Sequence, residues 1–420
     1  MQLIIFSALV VAFALAGRRF DRWNITAPMV FMASGVVVFG LVDKLDVDNA
    51  VVHLLAELAL VVVLFHDAST VQLRKLREDA GVPARLLAIG FPLALVATTA
   101  AAVLVFPALG VAGAVLLAAS VTPTDAGLGA PTVLNPSVPV RIRRALNVES
   151  GLNDGLATPL VLFALAVLAA EEGLGEHSLL QLAILPAGLA LLVAVAVGAV
   201  AAWAIDLSER TGSSSATSRS VALLAVPFLG FGIASVVGAN AFITAFVAGL
   251  VFGGMSKTNR TQPETSGTLE IAADLLGYVV WFMAGGLALT VLRSGFEWQW
   301  LLAAVAVLTL LRMIPVAVSL IGVGFSRQTV LFIGWFGPRG LATVVFALLA
   351  VEELGSASPV MPDYLGVLTL TVLLSVFAHG FSAGPLSARY ADWVQRAAPA
   401  AETADAARPR TRFRASVGRR

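Results

Sequence analysis

The sequence predicts an all-α, polytopic membrane protein of about 13 transmembrane helices, and three observations carry that expectation. Apolar residues make up 58% of the 420, against roughly 45–50% in soluble domains, and mean hydropathy is +0.90. They are gathered into continuous runs long enough to cross a bilayer, not alternating as in a β-barrel. Only 13% of residues are charged, and most of these sit at the ends of the runs.

The first run, residues 2–17, carries a small-residue stretch, Ala14-Leu15-Ala16, that resembles a cleavage site. Met1-Gln2 gives no positive start, however, and Arg18 and Arg19 follow the run, so it reads as a retained first helix. The other runs fall at 25–42, 49–67, 84–106, 108–129, 141–170, 178–204, 219–237, 239–254, 268–291, 298–324, 328–350 and 364–386, with Pro, Gly and charge between them. With the N-terminus outside, the inner connections hold Arg18, Arg19, Arg22, Arg74, Lys75, Arg77, Arg85, Arg141, Arg143, Arg144, Arg210, Arg219, Lys257, Arg260 and Arg327. Adding Arg389, Arg396 and the terminal arginines places 23 of the 27 basic residues inside. Lys44 and Arg293 are the outer exceptions, while acids such as Asp43, Asp46, Asp48, Glu171, Glu172, Glu176, Glu352 and Glu353 gather outside. The expectation is a multi-pass plasma-membrane protein, N-terminus out and C-terminus cytoplasmic. Residues 1–390 form the membrane domain. Residues 391–420, rich in Ala, Pro and Arg, are expected to be a short disordered tail drawn to anionic lipid.

Two segments are interrupted. The fifth is broken at Thr122–Asp125 and Gly127–Gly129, and the twelfth at Gly337–Gly340. They are seven segments apart, so one half is inverted relative to the other. Interrupted helices at matching places in two halves point to a midplane binding site. Composition excludes other chemistries. The chain has no cysteine, hence no disulfide, thiol nucleophile or cysteine metal site, and a net charge of +1 implies no nucleic-acid partner. No cofactor is expected, and the chain is not read as an enzyme.

An intramembrane carboxylate costs several kcal/mol and is a functional candidate by default. Glu149-Ser150-Gly151-Leu152-Asn153-Asp154 holds two of them. On a helix Ser150, Asn153 and Asp154 share one face, offering a hydroxyl, an amide carbonyl and a carboxylate, all hard ligands for a small cation. Proton and cation would compete at Asp154. Asp125, beside Thr122, Pro123 and Thr124, has carbonyls freed by the break within reach. Arg339, behind Pro338, needs a carboxylate. Glu149, off the Asp154 face, is the expected partner, with Asp125 and Asp154 as alternatives. Glu57 with Arg312 is a second possible ion pair, and His66 and His379 are candidate pH sensors. Trp23, Trp203, Trp298, Trp300 and Trp393 lie near segment ends, as an interfacial aromatic belt would.

Thr124-Asp125, Glu149-Ser150-Gly151-Leu152-Asn153-Asp154-Gly155 and Gly337-Pro338-Arg339-Gly340 resemble the monovalent cation/proton antiporter superfamily, in particular its electroneutral sodium/proton exchanger branch, the NhaP- and NHE-like proteins. The resemblance covers about residues 1–390. It implies a homodimer with a dimerisation domain and a mobile six-helix core, in which broken helices 5 and 12 cross. It implies that Asp154 binds the ion and the proton, that Thr124, Asp125, Ser150 and Asn153 complete or support the cation site, and that Glu149 and Arg339 are a structural ion pair. It further implies exchange of Na⁺ or Li⁺ for H⁺, electroneutral because the electrogenic branch carries Asp where this chain has Asn153. Two positions depart from the pattern. Ala126 stands where many relatives have Pro, and His66-Asp67 stands where an acid often follows Leu-Phe directly. A K⁺/H⁺ antiporter on the same fold is the alternative. An intramembrane aspartyl protease using Asp125 and Asp154 is a remote one, since Thr-Asp and Asn-Asp do not match the Tyr-Asp and Gly-x-Gly-Asp such enzymes carry. A channel would need a continuous pore.

Overall fold

A computed structural model of the chain describes residues 2–41, 50–71, 81–133, 135–173 and 184–403. Each of the 13 apolar runs contains helix. In chain order these are α1 (Gln2–Arg22), α2 (Ala27–Leu41), α3 (Ala50–Thr70), α4 (Gly81–Val105), α5 (Gly110–Val121), α6 (Ala126–Val133), α7 (Val140–Glu171), α8 (Leu185–Thr211), α9 (Ala216–Val237) and α10 (Ala241–Met255). They continue with α11 (Gly267–Ser294), α12 (Trp298–Ser319), α13 (Arg327–Trp335), α14 (Leu341–Leu354), α15 (Met361–Ala397) and the single turn α16 (Ala400–Thr403). Among the described residues, eight helices are long and apolar enough to cross a membrane, and three shorter ones are also apolar. The chain is a multi-pass membrane protein. Lys44, Asp43, Asp46, Asp48, Arg74, Lys75, Arg77 and Glu176 of the charge count lie outside the described residues, as does 404–420.

The helices form two bundles. In one, α2 packs on α11, and α10 packs on both α3 and α8, with α9 alongside. In the other, α4, α5 and α6 gather around α7, while α12 and α15 hold α13 and α14. A seam runs where α3, α10 and α11 face α7, α14 and α15. Lipid tails are as apolar as leucine, so helices inside a bilayer hold together by close packing, and small residues let their backbones approach. At α2–α11 two glycines do this reciprocally. A Cβ on Gly285 would overlap the Met32 carbonyl oxygen, and one on Gly35 the Phe282 carbonyl. Around that contact Phe31 and Tyr278 stack with centroids 4.5 Å apart, and Phe6 and Phe13 of α1 pack on Phe31, Tyr278 and Phe282, which fastens α1 to both helices.

The expected break positions are found, with α5 ending at Val121 before α6 and α13 ending at Trp335 before α14. The tail is a correction. Disorder is not what residues 391–403 show: α15 runs on to Ala397, Tyr390 stacks on Phe332 and on Trp393, and Val394 is buried. Then α16 folds back across the helix ends. Its Glu402, 1% exposed, accepts from the Ser326 backbone N–H at 2.9 Å and the Thr329 hydroxyl at 2.7 Å, and Arg141 donates to the Ala401 carbonyl. The composition there hid one acid whose donors lie at the start of α13.

Gly285→Ala should therefore lower the detergent melting temperature by the equivalent of about 1–3 kcal/mol of overpacking. Gly17→Ala on α1, where nothing lies within 4 Å of the new methyl, should not lower it.

Candidate ion site at the crossing of two broken helices

The two interruptions meet. Pro123 and Pro338 each remove a backbone donor, so the chain leaves helical geometry on both sides. The freed segments cross, and the Asp125 N–H donates to the Pro338 carbonyl at 2.7 Å. The Asp125 side chain then serves both new helices. One oxygen accepts from the Leu128 N–H of α6 at 3.0 Å, the other from the Leu341 N–H of α14 at 2.7 Å. Helix N-termini carry unsatisfied N–H groups and partial positive charge, and here one carboxylate answers two of them. Gly340 is required by this contact, because a Cβ there would run into the Asp125 carboxyl group.

The negative helix ends are answered by Arg339, which is 1% exposed. Its Nε donates to the Val121 carbonyl at the end of α5 at 2.6 Å, Nη1 donates to the Gly337 carbonyl beyond α13, and Nη2 reaches the Val307 carbonyl at 3.4 Å. Two residues of α15 steady the same break. Ser375 Oγ accepts from the Arg339 N–H at 2.6 Å, and His379 lies under the Trp335 ring with Nε2 2.8 Å from the Trp335 carbonyl.

The expected Glu149–Arg339 pair is not formed. Glu149 instead takes Arg312 end-on, with Nη2 to Oε2 at 2.8 Å and Nη1 on Oε1. The expected Glu57–Arg312 pair fails for the same reason. A bidentate pair needs the edge of the guanidinium plane, and Arg312, just past the break of α12 at Thr309, offers it to α7. Arg339 spends its donors on carbonyls that the crossing already leaves open. Gly337 lies between the two cations: its carbonyl binds Arg339, and a Cβ on it would meet the Arg312 guanidinium carbon at 2.9 Å.

On α7, Ser150 and Asn153 engage the first break. The Thr124 N–H donates to Asn153 Oδ1 at 3.2 Å, Asn153 Nδ2 donates to Thr124 Oγ1 at 2.7 Å, and the Thr124 and Ser150 hydroxyls are 2.8 Å apart. Asp154 is buried beside them, and its carbonyl accepts from Thr158. Gly151 faces Asp67 and Val71 of the α3 end, and Gly155 lies under the Phe246 ring of α10, so this stretch of α7 borders the seam between bundles. The structure thus joins Thr124, Ser150 and Asn153 in one cluster and gives Asp125 to the helix ends. His66 contacts its neighbour, Nδ1 3.1 Å from Asp67 Oδ1. Ser375 is the support that sequence reasoning did not assign; Arg312 and His379 were singled out there for other roles, the first as a possible partner of Glu57 and the second as a pH sensor.

A family model described as "Sodium/hydrogen exchanger, transmembrane" matches residues 5–389. The chain belongs to this sodium/hydrogen exchanger family. An Na(+)/H(+) antiporter of Schizosaccharomyces pombe is 26% identical to this chain over 306 residues, covering 66% of it and 64% of the relative, just under two thirds of that protein's length. An uncharacterized Na(+)/H(+) exchanger of Mycobacterium bovis is 26% identical over 421 residues, covering 90% of this chain and 73% of the relative. The sodium proton antiporter MjNhaP1 of Methanocaldococcus jannaschii has the same fold, with a TM-score of 0.71 at 20% identity over 93% of this chain and 100% of that one.

Glu149→Gln or Arg312→Gln alone strands a buried charge and should cost roughly 3–5 kcal/mol, with a large part regained in the double variant. Melting curves in detergent check it. Simple addition of the two effects would break the pair.

Proposed function

We propose that the chain is a secondary antiporter that exchanges Na⁺ or Li⁺ for H⁺ one for one, with proton and cation competing at Asp154. The observation that carries this is the division of labour at the crossing. Both Asp125 oxygens are taken by helix N–H groups, and the Asn153 amide is bonded to Thr124 through both its ends. Asp154, buried next to this cluster on α7, is the carboxylate assigned to exchange. Neutralised by a proton or by Na⁺, it can cross a low-dielectric barrier; bare, it cannot. Hydroxyl and carbonyl oxygens around Thr124 and Ser150 supply hard ligands for the dehydrated cation. Access alternates as the bundle holding α7 moves along the seam against α3 and α10. The names of the antiporter relatives favour Na⁺ over K⁺ as the cargo. The chain works as a homodimer among membrane lipids, in the plasma membrane, N-terminus outside and C-terminus in the cytoplasm. It is a transporter and performs no covalent catalysis.

Asp154→Asn should abolish Na⁺-driven proton flux in proteoliposomes while the protein still inserts and dimerises, and comparison of Na⁺, Li⁺ and K⁺ ranks the cargo. Wild-type flux in that variant would remove Asp154 from the mechanism.

Because Asn153 cannot titrate, each cycle moves one positive charge in each direction. Imposing a membrane potential with a K⁺ ionophore should leave both the rate and the final Na⁺ gradient unchanged. A response to its sign would mean that a second proton is carried, with Asp125 the first suspect.

A further inference from the structure

In the second bundle, α4 and α12 turn matching faces toward each other and do not close. On α4 the face is Thr98, Ala101, Ala102 and Val105; on α12 it is Gln299, Leu302, Ala303 and Ala306. Both sets follow helical spacing, i, i+3, i+4 and i+7. Alanines facing alanines normally let two helices approach inside a bilayer. Here they border a cavity of about 280 Å³, with Leu117 of α5 and Val367 of α15 behind it. Among the described residues that line it, only Thr98 and Gln299 have polar side chains.

The break of α12 at Thr309 keeps the two faces apart. Thr309 has φ −115° and ψ −91°, outside helical geometry. Past it, α12 packs on α4: a Cβ on Gly90 would lie 3.3 Å from Ser319 Oγ, and Arg85 donates to the Ile321 carbonyl at 2.7 Å. Before it, α12 is drawn to α15 instead. Trp300 Nε1 donates to Asp363 Oδ1 at 2.8 Å, and a Cβ on Gly366 would overlap the Trp300 ring. The first half of α12 therefore leaves α4, and the gap is a wedge that narrows toward Val307 and Leu311.

The wedge opens sideways. Leu302 is 68% exposed and Val105 44%, and in a bilayer that exposure is to acyl chains. Apolar walls leave such a space dry. A partner helix, about 10 Å across with its side chains, cannot enter between walls that converge. Gln299 to Leu311 spans about 18 Å of helix rise, close to one leaflet of a hydrocarbon core roughly 30 Å thick. Gln299, beside the exposed Trp298 at the start of α12, puts a polar amide where a tail joins its headgroup.

From this geometry we propose that the wedge is a binding site for one phospholipid acyl chain, which enters past Gln299 and ends near Thr98 and Leu311. The seated tail takes the place of the missing contact between α4 and the first half of α12. It bears on Val307, whose carbonyl accepts from Arg339, and so props the break on which the crossing leans. The proposal needs only that the chain spans a membrane; the identity of the cargo does not enter it.

The test uses the full chain in phosphatidylcholine/phosphatidylglycerol proteoliposomes with a trace of phospholipid carrying a photoactivatable diazirine in one tail. Cross-linked residues are mapped by peptide mass spectrometry. Labelling in the wedge should exceed that at Val96 of α4 and Leu192 of α8, exposed positions outside it. The expected excess is about fivefold, the factor that roughly 1 kcal/mol of preference over bulk lipid gives. A diazirine near the ester should mark Gln299, Leu302 and Val105; one near the chain end should mark Thr98 and Leu311. Ala303→Phe, or the smaller change Ala101→Leu, should remove the excess, whereas Val96→Phe should leave it. Even labelling over all lipid-facing positions, the same residues marked from both diazirine depths, or an excess that survives both filled variants would each overturn the tail site. So would an unlabelled wedge, the result if a second copy or another helix covers it. The depth-resolved labelling needs no variant, so it decides the question even where a filled chain does not fold.

Discussion

Everything in the second bundle depends on one carboxylate. Asp125 contributes its backbone N–H to Pro338 and both side-chain oxygens to the starts of α6 and α14. Unwound backbone at membrane depth is tolerable only when its polar groups are satisfied by protein. Asp125 and Arg339 do this with opposite charges, the first on N–H groups and the second on carbonyls. The crossing therefore holds four helix ends together without presenting a bare peptide group to lipid. The Thr124–Ser150–Asn153 cluster is a by-product of that construction: Thr124, next in chain to Asp125, meets Asn153 and Ser150 because the break points it at α7.

The arginines show how charge is distributed when the dielectric is low. Two guanidinium groups flank Gly337, and Glu149 faces one of them squarely. Arg339 settles on the dipoles of carbonyls. A formal partner and a ring of carbonyls are alternative ways to stabilise a buried cation, and this fold uses both within one short loop.

Much of this was legible in the sequence, and the reason is the bilayer. Runs such as 84–106 or 268–291 have to be helical to satisfy their own backbone, so their helical state could be read before being seen. Breaks were legible at Pro123 and Pro338 because proline acts locally, and Asn153 beside Asp154 because their shared face follows from helical periodicity. The partner of Glu149 was not legible. Arg312 and Arg339 are both cations in apolar runs, and only the kink at Thr309 decides which presents its edge to α7. The packed turn at Glu402 escaped for a similar reason: its donor at Ser326 lies 76 residues away, in a part of the chain that gives no hint of needing an acceptor.

The double cap also sets an order of assembly. Asp125 and Leu341 are 216 residues apart. At a synthesis rate of roughly 5–20 residues per second, Asp125 waits on the order of ten to forty seconds before α14 exists. Through that interval the first broken helix stands in the membrane with its carboxylate only half engaged. The nascent first half is thus an incomplete object that needs shelter, from the insertion machinery or from lipid headgroups, until the second half arrives to close it.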